Sequence, residues 1–177
     1  LFFKWYGGFY RSALESFEHF FVQNSLSKDL LLRLGKSNVT VSGDTRFDRV
    51  AAILEKDNHL DFVTEFKNNQ LTIVVGSSWP KDEKILVDYI NSMTHQVKFI
   101  IAPHNIKKEQ IEELQKSIVK KTVLFSEKEG KNLSGCDVLI IDTIGILTKI
   151  YSEADIAYVG GGFGNPGVHN LLEPATF

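Results

Sequence analysis

A chain of 177 residues with 43% hydrophobic and 24% charged side chains is long enough to bury one sizeable core, or one domain and part of another, and its composition is that of neither a disordered nor a low-complexity protein. A net charge of -2 offers no basic face for nucleic-acid phosphates, and a single cysteine, Cys136, permits neither an internal disulfide nor a cysteine-built zinc cluster, which fits a reducing cytosolic compartment. No apolar run approaches the roughly 20 residues of a spanning helix, and the first residues lack the small-residue cleavage site of a signal peptide.

The chain starts on an aromatic cluster (Phe2, Phe3, Trp5, Tyr6, Phe9, Tyr10) that reads either as part of a core or cut interface of something longer, or as a surface near lipid. Residues 19–24 (HFFVQN) predict a strand and 27–35 (SKDLLLRLG) a helix with Ser27 at its N-cap and Gly35 beyond its end. Residues 38–43 (NVTVSG) predict a second strand, completing a βαβ unit, and TRFDRVAAIL (45–54) a helix capped by Thr45 or Asp44. The polar stretch 55–70 reads as a linker or surface segment, with a boundary near 50–68.

From Leu71 onward short β-branched runs alternate with amphipathic stretches, the pattern of an α/β fold with a parallel sheet. Strands are expected at 71–75, 97–102, 122–125, 137–141 and 156–159, and helices at 81–93, 107–118 and 144–154. The apolar strands suit a sheet covered on both faces.

In such sheets ligands sit at the carboxyl ends of the strands, where glycines admit close approach and helix N-termini offer N–H groups to anionic oxygens. Four loops would share that rim: GSSW (76–79), PHN (103–105), DTIG (142–145) and the glycine-rich stretch from Gly160. Ordinary local roles exist for each candidate. Ser77 and Ser78 suit a turn ahead of Pro80, Asp142 and Thr143 a helix cap, and His104 a turn after Pro103. Gly162, Gly164 and Gly167 satisfy G-x-G-x-x-G, but that fingerprint normally opens the first βα turn and needs a later acidic residue, so it does not establish NAD binding. Glu173 has two readings: partner of Asn170 in a capping box, or a residue just ahead of Pro174 at a first helical position, its carboxylate near the loop.

The stretch DTIGILTKIYSEADIAYVGGGFGNPGVHNLLEPATF resembles the carboxyl-terminal signature of bacterial 3-deoxy-D-manno-octulosonic acid (Kdo) transferases: Asp-Thr-x-Gly-x-Leu, Tyr-x-x-Ala-Asp, Val-Gly-Gly and Gly-x-His-Asn-x-Leu-Glu-Pro-Ala. Upstream, FVQNSLSKDLLLRLG and VTVSGDTRFDRV resemble the passage from the first to the second lobe of that family. The resemblance implies a two-lobed GT-B glycosyltransferase that moves Kdo with inversion from CMP-Kdo to the lipid A precursor in lipopolysaccharide biosynthesis, at the cytoplasmic face of the Gram-negative inner membrane. On that pattern residues 1–50 would end the acceptor lobe, 51–70 would link, and 71–177 would form an incomplete Rossmann-like donor lobe.

The resemblance also assigns roles. Gly161 and Gly162 would receive donor phosphate and ribose, with Glu173 accepting ribose hydroxyls and His169 and Asn170 facing phosphate or Kdo. Thr143, Ile144 and Gly145 would hold the cytosine edge through backbone groups, and Ser77, Ser78 and His104 would flank the phosphate. No metal, cofactor or nucleic acid is implied, and the family's general base, a glutamate early in the first lobe, would lie outside this chain, leaving a soluble fragment that binds nucleotide without turnover. Many members carry an arginine where this sequence reads Ala102-Pro103-His104, so donor charge would be met otherwise, for instance from Lys81, Lys107 and Lys108. A UDP-sugar-dependent GT-B transferase or epimerase, or a non-catalytic nucleotide-binding module, remains as an alternative.

Overall fold

The computed structural model describes residues 2–163 and 167–177, in which the chain forms two compact units divided between Ala52 and Ile53. The first unit contains α1 (Gly8–Leu14), β1 (Phe20–Val22), α2 (Ser25–Arg33) and β2 (Val39–Val41), followed by α3 (Thr45–Leu54). β1 and β2 pair in parallel with Phe20 opposite Val39, and α2 is the crossover between them, the expected βαβ unit. The cap of α2 is Asn24, whose side chain accepts the Ser27 N–H at 2.9 Å, so Ser27 sits inside the first turn instead of at the N-cap. At α3, Asp44 accepts the Arg46 N–H at 3.0 Å, and hydrogen bonds from Arg46 hold its carboxyl at about 2.

The second unit continues with α4 (Asp61–Lys67), β3 (Thr72–Ser78), α5 (Pro80–Ser92), β4 (Lys98–Pro103), α6 (Lys108–Ser117), β5 (Thr122–Leu124), β6 (Val138–Ile140), α7 (Leu147–Tyr151) and β7 (Ile156–Val159). Its five strands are all parallel, in the order β5-β6-β4-β3-β7. Alternation along each strand divides the core in two. Val74, Ile100 and Leu139 face Val63 and Phe66 of α4 and Ile150 and Tyr151 of α7. Val75, Phe99, Ile101 and Ile140 face Val87 and Ile90 of α5 and Ile111 and Leu114 of α6. Lys98 is buried with its ammonium donating to the carbonyls of Ser134 and Cys136 at 2.7 and 2.5 Å, so no strand residue carries an orphaned charge there.

Three elements differ from the sequence reading. The stretch 55–70, expected as linker or surface, holds α4, whose Val63 and Phe66 are fully buried. The helix expected over 144–154 is confined to α7, because Gly145 turns at φ 95° and the chain only becomes helical beyond Ile146. β3 runs on to Ser78 through a register shift, with Ser77 at φ 52°.

The strand order places the site. From β3 the chain moves outward through β4, then returns as β7 on the other flank of β3, so the switch in direction falls between β3 and β7. At such a point the loops beyond the strand ends part and leave a crevice.

Candidate functional site

The loop after β7 meets the end of β3 through backbone. Gly160 N–H donates to the Gly76 carbonyl at 2.9 Å, and His169 N–H to the Gly160 carbonyl at 3.2 Å. The approach is close enough that a Cβ on Gly160 would lie 2.3 Å from the Ser77 oxygen and 2.7 Å from the Ser78 α-carbon. Gly161, at φ 93°, would bring a Cβ within 2.2 Å of the Gly167 oxygen, whereas Gly162 would meet only a Val168 methyl at 3.7 Å. Two of these glycines are therefore required by packing alone. Gly164 and Pro166 of the glycine pattern lie outside the described residues.

Asp82, in the first turn of α5 and wholly buried, organises the junction. Its carboxylate accepts the Gly161 N–H at 3.0 Å, the Tyr158 hydroxyl at 2.8 Å and the Trp79 N–H at 2.9 Å. Burial pushes its pKa up, but the hydrogen bonds from Gly161, Tyr158 and Trp79 outweigh that and hold it below the ordinary carboxylate value. Tyr158 is pushed up to about 12 by burial and then by its bond to Asp82, so its proton stays on the hydroxyl.

Ser78 is committed internally. Its hydroxyl donates to Glu83 Oε1 at 2.9 Å and its carbonyl accepts the His104 N–H at 2.8 Å, which pins the loop after β4 to the end of β3. Above it three aromatic rings gather. Trp79 stacks on His104 with centroids 4.4 Å apart and planes at 18°, and His104 lies 4.6 Å from His169. Trp79 Nε1–H donates to His169 Nε2 at 2.8 Å. Desolvation holds the His104 pKa below the usual imidazole value.

Glu173 belongs to a second cluster. Thr148 of α7 donates its hydroxyl to Oε2 at 2.7 Å, and Asn170 its amide to Oε1 at 3.2 Å. Asn170 Oδ1 accepts the Leu172 N–H at 3.1 Å, and Pro174–Thr176 form one turn of 3-10 helix directly after Glu173. The capping box is thus not formed: Glu173 bonds the Asn170 side chain instead of its backbone N–H. Beside it Tyr151 is buried, its pKa lifted to about 12 by burial and then by Glu173, and its hydroxyl presses on Gly76, where a Cβ would stand 1.7 Å away.

The structure therefore joins Ser78, His104, Gly161 and His169, and separately Asn170 and Glu173; Ser77 takes part through its backbone, and Gly162 is exposed. Thr143, Ile144 and Gly145 end the loop after β6, and among the described residues no hydrogen bond joins them to either cluster. Asp142 does not cap α7; it accepts the Ser126 N–H and hydroxyl at 2.9 and 2.5 Å. Asp82, Thr148 and Tyr158 were not among the sequence candidates, and Trp79 entered only as the last residue of the GSSW loop, with no role. The one available signal was the acidic residue three places after Trp79 at a Pro-initiated helix, the spacing of half a capping box.

Chemically, the rim offers a carboxylate that can accept hydroxyls, imidazoles, and glycine backbone. Among the described residues no lysine or arginine side chain hydrogen-bonds to His104, His169 or Glu173, no group of His, Cys, Asp and Glu is placed to hold a metal, and no helix is long and apolar enough to cross a membrane.

No protein-family model matches the chain. It is 30% identical over 174 residues to the 3-deoxy-D-manno-octulosonic acid transferase of Chlamydophila psittaci, covering 94% of this chain and 39% of that protein. It is 27% identical over 175 residues to the protein of the same name from Rickettsia bellii, covering 96% and 41%. A bifunctional glycosyltransferase/methyltransferase of Fusobacterium nucleatum is 29% identical over 173 residues, covering 94% and 27%. The chain thus spans less than half the length of each of these relatives. The crystal structure of the C-terminal CMP-Kdo binding domain of WaaA from Acinetobacter baumannii shares its fold, with a TM-score of 0.51, 23% identity and 66% of each chain covered. Over nearly its whole length the chain is thus similar to part of proteins named 3-deoxy-D-manno-octulosonic acid transferase, and it shares the fold of that CMP-Kdo binding domain.

Proposed function

We propose that the rim between β3 and β7 is the donor site of a Kdo glycosyltransferase, taking the cytidine nucleotide of CMP-Kdo. The observation that carries the reading is His169 held against the carboxyl ends of β3 and β7, with Glu173 four residues further on and bonded to Thr148 of α7, at the crevice where open parallel sheets bind ligands. Similarity to 3-deoxy-D-manno-octulosonic acid transferases and the CMP-Kdo-binding domain of like fold support it.

In this reading Glu173 accepts the ribose hydroxyls, with Thr148 and Asn170 holding its carboxylate. His169 and His104 donate to phosphate or Kdo oxygens, and the backbone of Gly161, Gly162, Ser77 and Ser78 shapes the floor. Thr143, Ile144 and Gly145 line the cytosine end through backbone groups, and Asn170 completes the phosphate side. The acceptor is the lipid A precursor, met by the whole protein at the inner membrane, and the transfer inverts the anomeric centre. Such a transfer needs a carboxylate base for the acceptor hydroxyl, and no residue of this chain is assigned that role.

The test is transfer by the whole protein from CMP-Kdo to a lipid A precursor, with CMP and UMP as competitors. Loss of a hydrogen bond to a charged group costs about 1.5–3 kcal/mol, so Glu173→Ala is expected to lower kcat/KM at least about tenfold, with CMP the better competitor. Unchanged kcat/KM in that variant, or competition by UMP alone, would overturn the reading.

A further inference from the structure

We propose that Trp79 is a positioning residue for His169: its indole N–H fixes the imidazole as the Nδ1–H tautomer and so presents a neutral donor to the ligand. The inference rests on the donor-site reading above for its functional meaning, but not for its structural content.

The geometry is specific. Trp79 Nε1 and His169 Nε2 are 2.8 Å apart, while the ring centroids are 6.0 Å apart and the planes only 12° from parallel. Two parallel rings with a nitrogen pair that close lie edge to edge, so the indole N–H runs along the in-plane lone pair of the imidazole. Indole nitrogen donates and never accepts. His169 Nε2 must therefore carry a lone pair, since a proton there would set two donors head-on. A neutral imidazole with Nε2 unprotonated carries its hydrogen on Nδ1. Among the described residues Nδ1 has no partner, which leaves that N–H free for an oxygen of the ligand.

Both partners are held independently. Trp79 is fixed at its backbone by Asp82 and at its face by the stack on His104. His169 is fixed at its backbone by the Gly160 carbonyl. The tautomer is thus preset before ligand arrives, and the ligand meets a donor where it would otherwise meet a lone pair on half or more of the molecules. For an anionic oxygen that difference changes attraction into repulsion.

The experiment is nitrogen-15 NMR of the histidine rings in the ligand-free chain, wild type and Trp79→Phe, followed by titration of each with CMP. Phe keeps an aromatic face for His104, though a smaller one, and removes the donor. The wild-type His169 is expected to show a protonated Nδ1 and an unprotonated Nε2, and Trp79→Phe a large population of the Nε2–H form. CMP affinity should fall about fivefold in the variant, the size of one lost neutral hydrogen bond. His169→Ala serves as the second variant: it leaves Trp79 in place and should release the indole N–H to fast solvent exchange, which tests the bond even where Trp79→Phe folds poorly. A wild-type His169 protonated on Nε2, or an indole N–H unaffected by His169→Ala, would overturn the proposal. A tautomer that switches with no change in CMP affinity supports the role of Trp79 and contradicts the donor-site reading instead.

Discussion

The carboxylate of Asp82 accepts the backbone N–H of Gly161 at 3.0 Å, 79 positions along the chain, and so ties the first turn of α5 to the loop that leaves β7. The same carboxylate takes the Trp79 N–H and the Tyr158 hydroxyl. Removing it strands three donors at once, each costing about 1 kcal/mol or more if it stays buried. Asp82→Ala is therefore expected to destabilise the chain by about 3 kcal/mol, read from the midpoint of urea unfolding, and to abolish the dispersion of the Gly161 amide resonance.

Asp82 also sets a pH dependence. Its folded pKa lies below the unfolded value near 3.8, so the folded state favours the ionised form. The stability it contributes is complete above the unfolded value and is lost as pH falls through the folded one. Thermal unfolding from pH 7 to pH 2.5 should show the wild type losing its advantage over Asp82→Asn below about pH 3.8. Asp44, also lowered, is present in both proteins and cancels in the difference. A constant gap across that range would remove Asp82 from this role.

Gly160 and Gly162 separate packing from pattern. A methyl at Gly160 meets backbone atoms at 2.3 and 2.7 Å that cannot turn aside, whereas one at Gly162 meets a single methyl at 3.7 Å. Gly160→Ala is expected to cost about 2 kcal/mol or more, and Gly162→Ala to stay within about 0.5 kcal/mol, in the same denaturation series. Equal effects would mean that the loop is not held against β3 as described.

Thr148 makes Glu173 a preset acceptor. Its hydroxyl bond, 2.7 Å long, orients the carboxylate without touching the main chain of the loop. Thr148→Val, similar in shape, is expected to weaken CMP binding about fivefold with little change in melting temperature, and Thr148→Ser to restore it. Loss of stability without loss of binding would make the bond purely structural.

Much of the sheet could be read in advance because its strands, Val74-Val75, Phe99–Ile101 and Val138–Ile140, are short apolar runs buried on both faces. α4 could not, since only Val63 and Phe66 of its seven residues are buried, Phe62 packs against the core while half-exposed, and the flanking sequence is polar. The cap of α2 was misplaced because Asn24 and Ser27 are both good caps, and only the backbone decides between them. In the site, His169, His104 and Glu173 stand out as chemistry-bearing residues at strand ends. Trp79, Asp82 and Thr148 do not, because each acquires its partner only when a segment 25 to 90 residues away folds back: Thr148 and Glu173, Asp82 and Gly161, Trp79 and His169.

The most direct test of the central claim is calorimetric titration of this chain with CMP, UMP and NAD, repeated for Glu173→Ala and His169→Ala after each is shown to be folded. Selective CMP binding that both substitutions weaken by about tenfold or more is the predicted result. Binding of UMP or NAD in preference to CMP, or CMP binding indifferent to both substitutions, would contradict it.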